Sequence, residues 1–284
     1  MSFEIITALI TPFYDENKID YLSLKRIIND QLSFNINKLL LFATTGEGSL
    51  ISLKEKIKVI KKLNKDFNNL HLIVGIHSNN LQDIKRQISS FKKEHVEGFL
   101  LSPPDYYILS DNAIYEYYLK ISRLSNVPII IYNIPKRTGN IITSNLLSKL
   151  REIPNIVGIK EASNSISFIK DIIKYQDDNF KIYLGDDKYL ISGLNLKLDG
   201  LFSVASNIIP EKMKKIVTLY SNDYLIADKQ FEEIKQYLNL IFIEPNPIPI
   251  KYIMSKKYQF EELYLFPLNR LSLVNKKIID KKQW

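Results

Sequence analysis

The chain alternates short, unbroken apolar runs with longer stretches whose apolar residues recur at helical spacing, almost from end to end. Eight runs stand out, at 5–10, 38–43, 71–76, 98–101, 128–132, 156–159, 181–184 and 200–204. They lack the apolar–polar alternation of a half-exposed strand, which is the pattern of strands buried on both faces of a parallel sheet. The intervening stretches carry helix-start signals. Asp20 precedes 21–34, and Ser52-Leu53-Lys54-Glu55 is a capping box. Ser110 or Asp111 opens a segment ending near Arg123, and Thr143 or Ser144 opens the stretch to Arg151. Eight strand–helix units in succession predict an α/β chain with a (β/α)8 barrel, its core over 1–209 and its eighth helix continuing to about 221. From 222 to 284 no comparable strand follows; helices are predicted at 223–242 and 247–256, with a weaker one after Pro267. An open doubly wound sheet would place a glycine-rich turn after its first strand, and Thr11-Pro12-Phe13 is not one.

Composition narrows the class. With 284 residues, 45% apolar and 25% charged, the chain can bury a sizeable core. The absence of cysteine removes disulfide scaffolds, zinc ribbons, iron–sulfur clusters and thiol nucleophiles. No apolar run reaches the roughly 18–20 residues of a membrane span. The stretch from Met1 to Thr7 carries Glu4 and no basic run, unlike a secretory leader, so a cytoplasmic protein with no membrane partner is expected. The net charge of +8 raises the question of nucleic acid, but the lysines are dispersed. Lys54, Lys56, Lys58, Lys61 and Lys62, interleaved with Ile57, Val59 and Ile60, read as a solvated helix face, and the short runs at 256–257 and 276–282 lack stacking aromatics. His71, His77 and His95 do not stand at ligand spacing, so no metal is expected.

In such a barrel, chemistry belongs at the C-terminal ends of the strands. Those ends read Thr44-Thr45-Gly46-Glu47, Pro103-Pro104-Asp105-Tyr106-Tyr107, Tyr132-Asn133, Lys160-Glu161, Gly185-Asp186-Asp187 and Ser203. Lys160 is the informative residue. An ammonium on a buried strand loses hydration, which favours the neutral, nucleophilic amine, and such an amine condenses with a ketone to an imine that acts as an electron sink. The same position also suits an ion pair with Glu161 or an aspartate. Tyr132 is a candidate acid–base, or a packed aromatic. Thr44 and Thr45 offer donors for a carboxylate, or cap a strand end. Arg137 offers a bidentate fork, or is a solvated surface arginine.

Five segments together carry a resemblance: Thr44–Glu47, Tyr132-Asn133-Ile134-Pro135-Lys136-Arg137-Thr138-Gly139, Gly158-Ile159-Lys160-Glu161-Ala162, Gly185-Asp186-Asp187 and Glu244-Pro245-Asn246-Pro247-Ile248-Pro249. In this order they resemble the dihydrodipicolinate synthase family, pyruvate-dependent class I aldolases of lysine and diaminopimelate biosynthesis whose wider group includes N-acetylneuraminate lyase. The resemblance runs from about residue 6 to 271. It implies that Lys160 forms an imine with pyruvate, whose enamine attacks aspartate semialdehyde to give 4-hydroxy-tetrahydrodipicolinate after cyclisation, with no cofactor. It further implies Tyr132 as acid–base, linked by Thr44 to a tyrosine from a neighbouring subunit, Tyr106 or, failing that, Tyr107. Thr45 and the Phe202 backbone would bind pyruvate, Gly185 would line the substrate, and Arg137 would hold the semialdehyde carboxylate. The chain would then be a homo-oligomer, a dimer of dimers as is usual in the family.

Arg137 in Arg-Thr-Gly and the Glu244–Pro249 segment favour the synthase over a sialic-acid or 2-keto-3-deoxy sugar acid aldolase. Intact Thr44, Tyr132, Arg137 and Lys160 speak against a decayed barrel serving as a basic binding module. Departures from the family pattern are Ala43, Gly48 and Asp105, the last where a second tyrosine is usual. Leu53, Lys56 and Asp105 occupy positions of the lysine-feedback site, while Asn79 and Asp83 remain; a cationic Lys56 would repel the ammonium of lysine, so feedback is expected to be weak or absent.

Overall fold

The computed structural model describes residues 3–16, 18–282 and 284; Met1 and Ser2, the start of the stretch read for a leader, lie outside the described residues. Eight strands, β1 (Glu4–Ala8), β2 (Lys38–Leu41), β3 (His71–Ile76), β4 (Gly98–Leu101), β5 (Ile129–Asn133), β6 (Ile156–Glu161), β7 (Lys181–Leu184) and β8 (Gly200–Ser203), form a closed barrel in the order β1-β8-β7-β6-β5-β4-β3-β2. Its registered pairs are parallel. The helices that alternate with the strands are α1 (Tyr21–Ser33), α2 (Leu53–Asp66), α3 (Leu81–Phe91), α4 (Asp111–Ser122), α5 (Ser144–Leu150), α6 (Ile166–Ile172), α7 (Leu190–Asn195) and α8 (Pro210–Tyr220). Three more follow, α9 (Tyr224–Ile241), α10 (Ile248–Tyr258) and α11 (Leu273–Asp280). The barrel and its helical tail are therefore those the pattern predicts. A short antiparallel pair, Phe13–Asp15 with Lys18–Ile19, was not foreseen.

Local chemistry sets the boundaries. Asp20, Ser52, Ser110 and Thr143 each cap a helix, accepting from the backbone N–H three residues on. The first run ends as strand at Ala8 because Ile10 N donates to the Asn207 side chain, while Asn207 Nδ2 donates to the Ala8 carbonyl. The second stops at Leu41 because Phe42 turns into the left-handed region, φ 56°. The turn is then closed by Gly46 N and Gly48 N, both donating to the Ala43 carbonyl at 3.1 Å. A Cβ on Gly48 would lie 1.6 Å from the Phe42 carbonyl oxygen, so this turn accepts only glycine there.

The chain packs as two compact units. One comprises His71–Phe202 with the N-terminal edge as far as Glu4; the other comprises Ile5–Leu70 and Ser203–Trp284. In the first, β6 pairs with both β5 and β7, and the β5–β6 register shifts once, where Ile129 pairs with Ile156 but Ile130 with Gly158. In the second, a buried polar chain links Thr7, Gln31 and Ser206: Thr7 Oγ1 donates to Gln31 Oε1 at 2.6 Å, Ser206 Oγ to Thr7 at 2.9 Å, and Gln31 Nε2 to the Ser206 carbonyl at 2.9 Å. One expectation fails in this unit. Lys56 is not on a solvated face but 4% exposed. It falls on the buried stripe of α2 with Val59, Ile60 and Leu63, the i, i+3, i+4, i+7 positions, and its amine lies 6.0 Å from the Phe42 ring.

Candidate active site

Lys160 lies in the last turn of strand before β6 ends and is 4% exposed. Its register partners are Tyr132 on β5 and Tyr183 on β7, which places three polar side chains at one level of three adjacent strands. The amine sits 4.2 Å from the centroid of the Tyr132 ring and 5.2 Å from that of Phe202. Phe202 is itself fully buried and stacks edge-on against Tyr183 at 5.3 Å. Aromatic walls exclude water while their faces tolerate a cation. Burial, reinforced by Glu4 and Asp199, pushes the Tyr183 phenol well above its usual value and keeps it protonated.

Among the described residues Lys160 has no carboxylate partner, which disposes of the structural ion pair with Glu161. Successive side chains of a strand point to opposite faces, and Glu161 accordingly turns away from the amine. Its carboxylate accepts Asn133 Nδ2 at 2.5 Å and the Ser163 backbone N–H. Burial pushes the Glu161 carboxyl upward, against the pull of these donors. The strand ends in Lys160-Glu161 as its sequence predicts, two residues past the apolar run, and both residues pair with the strands on either side.

After β5, Pro135–Thr138 forms a single helical turn that carries Arg137 on an exposed position. Thr138 Oγ1 donates back to the Ile134 carbonyl, and Asn140 N donates to Thr138 Oγ1. Asn140 also fastens the loop after β4: its Nδ2 donates to the Pro104 and Tyr107 carbonyls, both at 2.8 Å, and Leu109 N donates to its Oδ1. From the other side Asn79 exchanges two bonds with the Asp105 backbone, and His77 lies 3.5 Å from the Asp105 carboxylate. The held loop presents Tyr106, 87% exposed and at φ 71°, beside the exposed Tyr107 and Ile108. Gly185 packs with its N–H on the Glu161 carbonyl at 2.7 Å, and a Cβ there would lie 2.6 Å from that of Ala162.

In the other unit, Thr44 and Thr45 stand in the turn after β2. Thr45 is buried and its hydroxyl accepts Asn246 Nδ2 at 3.0 Å. Two residues on, Glu47 pairs with Lys251 of α10, both side chains fully buried, and Glu47 also accepts Leu265 N at 2.9 Å. Lys251 lies 4.0 Å from the Phe13 ring; burial, partly countered by Glu47, lowers its amine to about 8. Lys56 is likewise lowered to about 8, by burial alone. The Glu47–Lys251 and Asn133–Glu161 pairs are not foreseen from the sequence; only polar residues set in apolar strand ends or in a buried Pro-rich helix start hint at them. Among the described residues no three His, Cys, Asp or Glu side chains converge as a metal ion requires, and no helix is long and apolar enough to cross a membrane.

The profile of the dihydrodipicolinate synthetase family matches residues 1–277. The chain belongs to this family. It is 34% identical over 283 residues to the 4-hydroxy-tetrahydrodipicolinate synthase of Wigglesworthia glossinidia brevipalpis, covering 97% of this chain and 95% of that one. It is 36% identical over 255 residues to the synthase of Thermosipho africanus, covering 88% and 86%. Among solved structures, the synthase of Methylacidiphilum fumariolicum SolV superposes with a TM-score of 0.92 at 27% identity, over 99% of this chain and 94% of that one. The chloride-inhibited synthase of Acinetobacter baumannii, complexed with pyruvate, superposes with a TM-score of 0.93 at 28% identity, over 99% and 97%. The expected family and its barrel are thus those found.

Proposed function

We propose that this family member is a 4-hydroxy-tetrahydrodipicolinate synthase, joining pyruvate to aspartate semialdehyde through an imine on Lys160. The observation that carries the reading is the buried Lys160 amine, walled by Tyr132 and Phe202 and without a carboxylate to hold it as a structural cation. Its nitrogen adds to the keto carbon of pyruvate, and loss of water leaves an iminium; Tyr132 takes a proton from the methyl group, and the electron pair of the broken C–H bond moves toward the positive nitrogen. The resulting enamine carbon bonds to the aldehyde carbon of the semialdehyde. The amino group of that substrate then displaces the lysine nitrogen, closing the ring and freeing the amine. Tyr132, in register beside it, carries the protons to and from the carbinolamine oxygen. Thr45 and the Phe202 backbone bind the pyruvate carboxylate, and Gly185 lines the substrate. Arg137 takes the second carboxylate, a role for which a planar fork is better suited than an ammonium. Thr44 relays protons toward Tyr106 or Tyr107 of a second copy. The solved Acinetobacter relative is described with pyruvate, which supports the first substrate.

The test compares aldehydes at saturating pyruvate. Turnover with aspartate semialdehyde and little with sugar aldehydes is expected; the opposite preference would make the chain a sugar-acid aldolase, and salt-sensitive DNA retention without any turnover would make it a binding module.

A further inference from the structure

One step beyond Tyr132 and Lys160, on the opposite face of the same two strands, the register pairs Asn133 with Glu161. Both side chains are buried, at 0% and 3% exposure. Every acceptor of the pair is used. Asn133 Nδ2 donates to one carboxylate oxygen at 2.5 Å, the Ser163 N–H donates to the other, and Asn133 Oδ1 accepts Ile142 N at 3.1 Å. The backbone repeats the ties: Ala162 N donates to the Asn133 carbonyl at 2.9 Å, and Gly185 N to the Glu161 carbonyl at 2.7 Å.

This arrangement answers a problem that the ladder alone leaves open. A slip of one residue between neighbouring strands sends every side chain to the wrong face. Between β5 and β6 the register has already shifted once, between Ile129 and Ile130, just below the Tyr132–Lys160 pair. Three isoleucine and glycine pairs do little to specify one register over another, whereas a buried amide–carboxylate bond has one geometry and leaves unpaired polar groups in any other. Through Ile142 the same Asn133 holds the segment that follows the Arg137 turn, in which Asn140 fastens the Tyr106 loop.

We propose that Asn133 and Glu161 are positioning residues for the imine chemistry: their side-chain bond sets Tyr132 and Lys160 at one level, while Asn133, just before the Arg137 turn, also ties down the segment that follows it through Ile142. The inference rests on the Lys160 reading given above. Neither residue faces the amine, so each acts through its neighbour. A displacement of about 1 Å between reacting groups costs on the order of 100-fold in rate. A glutamine at 161 keeps the size of the side chain but has one carbonyl oxygen for two donors, and so loosens the bond without opening a cavity.

The experiment measures three things on wild type and on Glu161→Gln: kcat and KM for each substrate, the thermal unfolding midpoint, and the rate of borohydride trapping with pyruvate at Lys160. The expected result is a folded variant whose kcat falls about 10- to 100-fold, with pyruvate KM within about 3-fold and slower trapping at the same lysine. Asn133→Ser should show the same loss, and the double variant should lose no more than the worse single, because the two act as a unit. Glu161→Asp, which retains both carboxylate oxygens, should recover part of kcat. Wild-type kcat per folded molecule in Glu161→Gln and Asn133→Ser overturns the proposal, as does finding that both variants only unfold, since the pair is then mere scaffold. A wild type that is not trapped at Lys160 is a separate failure, of the underlying reading, and takes the inference with it.

Discussion

At the scale of single residues the account turns on how water is kept from one amine. Lys160 could be singled out in the sequence because a lysine at the end of an apolar run has few bland explanations; the choice between imine and ion pair could not be made there. In the structure, alternation removes the pair with Glu161, whose carboxylate goes to Asn133 and Ser163 on the other face. Two predictions belong here. Tyr132→Phe keeps the ring that walls the amine but removes the proton carrier, so kcat should fall by about 100- to 10,000-fold while the protein stays folded; steady-state kinetics with circular dichroism check it. Arg137→Lys should raise the KM for the semialdehyde far more than that for pyruvate, because a point charge cannot replace the fork; equal rises in both would contradict the assignment.

At the scale of elements the apolar runs foretold the strands, since strands buried on both faces need no alternation to be recognised. Helix faces were less legible where lysine interrupts the stripe. Lys56 read as solvated because its neighbours in sequence are lysines, yet the stripe it shares with Val59, Ile60 and Leu63 buries it. Its amine is lowered from 10.5 to about 8 by burial. Between those values the unfolded chain binds a proton that the folded chain does not, so stability rises with pH there; below pH 8 both states are charged and the full cost of burial is felt. Lys56→Met should therefore stabilise the protein by about 1–3 kcal/mol at pH 7, an advantage that shrinks toward pH 10. Denaturant titrations at the two pH values measure it, and a pH-independent difference would refute the assignment. The Glu47–Lys251 pair makes the opposite prediction. It joins residues 204 apart, which no local pattern announces. Lys251→Met leaves a buried carboxylate alone and should cost about 3–5 kcal/mol, most of it recovered when Glu47→Gln is added; the two unfolding curves decide.

At the scale of the whole molecule, the order of motifs along the chain made the family legible, while a surface for a second copy has no motif and shows only as exposed residues. Tyr106, Tyr107 and Ile108 stand out from a loop that Asn79 and Asn140 hold in place, an apolar ridge that costs solvation unless covered. Ile108→Lys, which leaves both tyrosines in place, should shift sedimentation toward the monomer and lower activity with it. Lysine itself should inhibit little: Lys56, at about 8, still carries its charge at neutral pH. The central claim is tested most directly by reducing the protein with borohydride in the presence of pyruvate and mapping its peptides by mass. The account predicts one modified residue, Lys160, with activity lost in proportion to its modification. Label on another lysine, or full activity after Lys160 is modified, would contradict it.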